Sequence, residues 1–167
     1  MRYVVIMMVF VTSLDLGLAQ AAGVRERESL RELPGVYVLI EATKPDAQAD
    51  GLSAEAIQTA TVHILGASGI RVLTQKEIHD SPEGGVLYVK VSTVKSPVGT
   101  YAYSATVELF QETQLVRQPL LGVFGMTWRA LGVIGSISQD HLRDVIDSAV
   151  QPQVKAFAND FQAVNPR

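Results

Sequence analysis

One alternating segment constrains the fold of this chain more than any other. Between Tyr101 and Leu109, apolar side chains occupy every second position and mostly polar ones occupy the rest. Successive side chains of a strand point to opposite faces, so the pattern predicts a strand with one buried face and one wet face. Val86 to Val94 alternates in the same way, and the turn residues Ser96 to Gly99 lie between the two segments. They predict an antiparallel hairpin.

Two amphipathic helices are predicted to cover the buried face. The first begins at Ser53, whose hydroxyl can accept from a first-turn amide, and ends near Ser68, before Gly69. The second runs from Ser138 to about Val164 with apolar residues on one side. Pro152 lies in its middle and predicts a kink or a break.

Three further segments are predicted to be strands. Gly35 to Thr43 is apolar on both faces, which is typical of a strand inside a sheet. Ile70 to Thr74 follows the first helix, and Val123 to about Ile134 is interpreted as one strand interrupted by glycines. The element order is therefore β-α-β-β-β-β-α. It predicts an α+β fold, a two-layer sandwich in which two helices cover one face of a mostly antiparallel sheet of about five strands.

The N-terminus resembles a secretory signal. A short basic start precedes the apolar run from Val4 to Leu14, and Ala19-Gln20-Ala21 has the small-x-small pattern of a cleavage site. The run is too short for a typical membrane span, which favours a signal peptide over a permanent anchor. A charge such as Asp15 is uncommon between the apolar run and the cleavage site, so an uncleaved, anchored form is the alternative. We expect a signal peptide at 1–21, a flexible segment at 22–32, one α+β domain at 33–167, and a periplasmic or extracellular location.

Composition excludes several classes of function. The net charge is −3 and basic residues form no stripe, which argues against nucleic acid as a partner. The chain has no cysteine, and this removes disulfides, thiolate nucleophiles, cysteine-ligated metals and a lipid-attachment site. An exported chain of this kind must be stabilised by its apolar core.

No catalytic, metal or cofactor motif was identified. The histidines His63, His79 and His141 lack the spacing of metal ligands. The Gly66–Gly69 segment does not match the nucleophile elbow, and the glycines of 122–135 match no phosphate-binding loop. The sequence therefore predicts no metal and no cofactor, and it favours a protein that is not an enzyme.

Aromatic residues near the hairpin are the candidate interaction surface. If their rings face solvent, four residues form a flat amphipathic area suited to contacts with proteins or glycans: Tyr101, Tyr103, Trp128 and Arg129. The alternative is that the rings pack in the core, which is the more common location for such residues.

Three segments of the chain resemble an uncharacterised family of small exported bacterial proteins: Leu33 to Val38, Gly69 to Leu73, and Phe157 to Phe161 with Asn165-Pro166. The predicted order of elements is also similar to that of periplasmic modules such as the N-terminal domain of the Tol translocation protein and the core of the curli-secretion lipoprotein. The resemblance implies no activity and assigns no functional residue.

The sequence thus favours a non-enzymatic binding or envelope-assembly module whose partner is an envelope protein or a glycan, with membrane contact only through an uncleaved signal. Two alternatives stay open. One is an envelope hydrolase with a dispersed site that includes His79 and Asp80. The other is a carrier that holds a small apolar ligand beneath Phe157 and Phe161.

Overall fold

A computed structural model describes residues 23–81 and 83–166, so the predicted signal peptide lies outside the described residues. Six strands and five α-helices are present in this part of the chain, together with a 3₁₀ turn at Gln139–His141. The helices are α1 (Val24–Glu28), α2 (Pro45–Ala49), α3 (Ala54–Ala67), α4 (Gln75–Asp80) and α5 (Leu142–Val164). The strands are β1 (Val36–Ile40), β2 (Val72–Leu73), β3 (Gly85–Lys95), β4 (Thr100–Leu115), β5 (Gln118–Arg129) and β6 (Val133–Ser138).

The strands form one mixed sheet, which confirms the predicted α+β class. Its order is β2-β1-β3-β4-β5, and β6 also pairs with β4. β1 is parallel to both of its neighbours, whereas the pairings of β3, β5 and β6 with β4 are antiparallel. The apolar segment at 36–40 is therefore an inner strand, as its two apolar faces predict.

The two long helices, α3 and α5, pack against each other and cover one face of the sheet. The Ser53 hydroxyl accepts from the amide of Ala56, and Gly69 adopts a φ of +72°, so both predicted ends of α3 are confirmed. The core between the layers includes inward residues of β1, β3 and β4 and the apolar side of each helix: Val36, Val38, Leu87, Val89, Val107, Leu109, Ile57, Leu65, Ile146, Val154 and Phe157.

Two strands occupy the place of the single strand predicted at 123–134. β4 is long enough to pair with β5 along one half and with β6 along the other, and residues 130–132 separate the two partners. This gap leaves backbone groups of β4 without a neighbouring strand. The Gln153 side chain, which is buried on α5, makes the hydrogen bonds that a neighbouring strand would otherwise make. Its Oε1 accepts from the Val107 amide at 3.1 Å, and its Nε2 donates to the Ala105 carbonyl at 3.1 Å.

Helix α5 continues through Pro152 as one element, so of the two outcomes predicted there, a kink or a break into two helices, the break is wrong. Proline removes one amide donor and leaves the carbonyl four residues earlier, that of Ser148, without its helical partner. Ser148 is exposed, and water can satisfy its carbonyl.

Residues 23–32 of the segment predicted to be flexible form a short helix and contact the core. Residues 24–28 form α1, and Leu30 is completely buried in the core. The Arg27 Nε donates to the Asp160 Oδ1 at 2.9 Å and joins α1 to α5. The burial of Leu30 was not predicted because the residues around it are mostly charged.

Candidate interaction surface

The sheet face opposite α3 and α5 carries a continuous row of apolar side chains. Tyr37 lies opposite Val86, Val86 opposite Phe110, and Phe110 opposite Met126, so the row crosses β1, β3, β4 and β5. Directly opposed residues share a face of the sheet. Three neighbours enlarge the row into an apolar patch, which we define by seven residues: Tyr37, Leu39, Val86, Tyr88, Phe110, Phe124 and Met126.

Much of the patch is accessible to solvent. Phe124 is 57% exposed, Met126 46% and Leu39 41%, while the remaining members are half-buried. The described residues therefore leave this part of the sheet uncovered. Helix α4 covers only a corner of this face, where Ile78 and Leu73 lie close to Gly84.

Contacts between rings stabilise the patch. The Phe110 ring stacks on Phe124 with centroids 5.8 Å apart, and Tyr88 meets Phe110 edge-on at 6.3 Å. Such pairs contribute roughly 0.5–1.5 kcal/mol beyond the burial of their area. The rings are therefore held in place across three strands.

Charged residues of both signs border the patch on one side. Glu108 lies opposite Arg129, Lys90 is the next outward residue after Tyr88 on β3, and Glu41 directly follows the end of β1. Partial burial raises the pKa of the Tyr88 phenol, and the nearby Glu41 carboxylate raises it further, so Tyr88 stays protonated and neutral at pH 7. An apolar centre with a charged rim is the arrangement found in protein interfaces.

The four residues of the predicted interaction surface do not share one exposed surface. Tyr101 and Trp128 are buried on the helix side, and Tyr103 is half-buried on that side, against Gly135. Arg129 is exposed but lies on the opposite face of the sheet, at the position opposite Glu108 in the strand register. The alternative of core packing therefore describes Tyr101 and Trp128.

Each buried ring has a polar partner at its edge. The Tyr101 hydroxyl donates to the Asp50 Oδ2 at 2.6 Å, and the Lys95 ammonium contacts the same oxygen at 2.5 Å. The Lys95 hydrogen bond, followed by that of Tyr101, lowers the pKa of Asp50, and burial is the main cause of the raised pKa of Tyr101. The buried Tyr101 side chain therefore joins β4 to the end of α2 through its hydrogen bond with Asp50.

Trp128 forms a second tie. Its Nε1 donates to the Asp160 Oδ2 at 3.0 Å, and its ring meets Phe157 edge-on at 5.1 Å. Phe157 is therefore packed in the core. Phe161 lines a surface cavity of about 240 Å³ near Gly69.

The residues suggested for a hydrolytic site are exposed. His79 and Asp80 lie at the end of α4, where Asp80 pairs with Lys76. His63 lines a groove of about 570 Å³ between α3 and α5, together with Glu55, Arg143 and Asp147. Within residues 23–81 and 83–166, no three histidine, aspartate or glutamate side chains are grouped so that they could hold a metal ion.

The patch is the feature that sequence reasoning missed. Its members lie at the outward positions of four strands that are far apart in the sequence, and the local pattern around each of them does not show that they meet. The strand register that joins them is set by non-local pairing.

Among the described residues, no helix combines the length and apolar character required to cross a membrane. The chain matches no family model, no curated protein and no solved structure.

Proposed function

We propose that this chain is an exported, non-enzymatic binding or assembly module of the cell envelope, and that it contacts a protein partner through the apolar patch. The observation that carries the proposal is the exposure of Leu39, Phe124 and Met126 within one apolar area. Contiguous apolar areas on soluble proteins are commonly sites of interaction. The signal-like N-terminus supports the location.

The chemistry of the patch favours a protein over a glycan. Sugars are usually bound on the open faces of aromatic rings, but the face of Phe110 is occupied by Phe124 and its flank by Tyr88. The accessible part of the patch consists of aliphatic and aromatic side chains, and Glu108, Arg129 and other charged residues border it. A partner that presents an apolar strip with charges at its edge would fit this surface.

A matched pair of variants tests the proposal. Leu39 and Ile134 are exposed aliphatic residues on the same face of the sheet. Only Leu39 belongs to the patch, since Ile134 is on β6 and lies opposite Ser104 of β4. We expect Leu39→Glu to reduce the affinity for the partner at least tenfold and Ile134→Glu to leave it within twofold. A single charge buried within an interface has an effect of this order.

The partner is first captured from envelope extract with the wild-type protein, identified by mass spectrometry and purified. Its affinity for the three proteins is then measured by calorimetry. Equal affinity for wild type and Leu39→Glu would refute the role of the patch. Recovery of no protein at all, in extracts cross-linked before lysis, would refute the binding function.

A further inference from the structure

The outer edge of β5 is open for pairing. β5 is the last strand of the described sheet on its side, and β4 occupies only its inner edge. The regular part of β5 extends from Gly122 to Met126, because the register with β4 shifts at both ends of this stretch. Helix α1 approaches β5 near the second shift, where the Ser29 hydroxyl lies 3.4 Å from the Thr127 carbonyl.

This edge lacks the charges that usually protect edge strands. No charged residue occurs from Gln118 to Trp128, and the flanking arginines, Arg117 and Arg129, lie outside that run. Unpaired backbone groups on an apolar edge are a template for another strand, and proteins ordinarily block such edges with charges, proline or β-bulges. Pro119 and both register shifts lie outside the stretch from Gly122 to Met126. The exposed stretch therefore favours pairing with an uncharged, extended segment.

The stretch is complementary to itself in antiparallel pairing. If the two-fold axis passes through Phe124, Gly122 lies opposite Met126 of the second copy and Val123 lies opposite Gly125. Val123 and Met126 then each face a glycine, the two Phe124 side chains face each other at the axis, and each arginine lies away from its counterpart. The pairing covers the regular stretch between the two register shifts.

We infer that two copies of this chain associate through β5, antiparallel and with Phe124 at the two-fold axis. The contact joins the two sheets and brings the apolar patches of both copies together at the Phe124 rings. Both partners are already strands, so little ordering entropy opposes the association. The inference does not depend on the proposed envelope partner, because it concerns the strand edge and a second copy of the same chain.

Sedimentation velocity over a concentration series tests the association. We expect a dimer at high concentration for the wild type and for Ile134→Lys, and a monomer for Phe124→Lys, which places two like charges at the axis. Ile134 is a suitable control because it is 86% exposed on the same face but belongs to β6. A wild type that stays monomeric at every concentration, or a dimer that survives Phe124→Lys, would overturn the inference.

Single cysteines test the register in a chain that has no native cysteine. Directly opposed residues of an antiparallel pair have Cα atoms about 4.5–5.5 Å apart, within the range of a disulfide. Phe124→Cys should therefore cross-link to its own copy under mild oxidation. Met126→Cys should not, because its two copies would lie about 14 Å apart by strand rise.

Equal cross-linking of both cysteine variants would contradict a two-fold axis at Phe124. Monomeric protein that instead binds an added extended apolar peptide along β5 would also contradict the inference, since the edge would then serve a different partner.

Discussion

Gln153 permits a direct test of how the sheet tolerates the gap between β5 and β6. The side chain is buried and bonds to two backbone groups of β4, the amide of Val107 and the carbonyl of Ala105. It also donates to the Ala149 carbonyl at 2.9 Å. Gln153→Met keeps nearly the same volume and removes every one of these hydrogen bonds, so a cavity contributes little to the result.

The magnitude follows from the two backbone groups that lose their partner. Each buried group left unsatisfied costs about 1–3 kcal/mol, so Gln153→Met should lower the free energy of unfolding by about 2–6 kcal/mol. That is a large share of the roughly 5–15 kcal/mol that stabilises an ordinary domain.

Urea unfolding followed by tryptophan fluorescence is the assay. The chain has a single tryptophan, Trp128, which is buried and reports on the packing beside the gap. Gln151→Met is the control, since Gln151 is only half-buried and lies on α5 two residues before Gln153, the residue that bonds to β4. A difference of less than about 0.5 kcal/mol between Gln153→Met and the wild type would refute the reasoning, because it is within the range of ordinary surface substitutions.

Two further predictions concern the helices and the sheet. The backbone amide and hydroxyl of Thr74, followed by the Arg71 guanidinium, lower the pKa of Glu77 from 4.5 to about 2. The ionised Glu77 should therefore stabilise α4 fully above pH 4.5, and this stabilisation should be lost as the pH falls through 2. An NMR titration of the Glu77 carboxyl with a midpoint near 4.5 would contradict this prediction. Gly66 lies in α3, and a Cβ added there has no neighbouring atom within 4 Å, so Gly66→Ala should raise the free energy of unfolding by about 0.5–1 kcal/mol. A Cβ at Gly35 would lie 2.7 Å from the Arg71 carbonyl oxygen, so Gly35→Ala should lower the free energy of unfolding by about 1–3 kcal/mol. Thermal unfolding that showed the same sign for both glycine variants would refute this contrast.

Local patterns were enough to predict the class of fold. The alternation in β3 and β4 and the cap at Ser53 depend on residues close in sequence, and the structure confirms them. The division between β5 and β6 was not predictable in this way. It depends on the length of β4, along which two strands pair, and on Gln153, which is 46 residues from the amide it accepts from.

The candidate surface was less predictable than the fold. The alternation placed Tyr101 on an apolar strand face, but whether helices cover that face depends on packing between distant parts of the chain. The same limitation hid Leu30, whose burial depends on contacts of α1 with the core. Residues of the patch such as Tyr37 and Phe110 are far apart in sequence, and only the register of β1, β3 and β4 places them in one row.

The role of the apolar patch is tested most directly by site-specific photo-cross-linking in living cells. A photoreactive amino acid at position 39 lies within the patch, and one at position 134 lies outside it on the same face. We predict that position 39 forms a covalent adduct with a specific envelope protein and that position 134 does not. Adducts of equal yield from both positions, or none from position 39, would contradict a binding function of the patch.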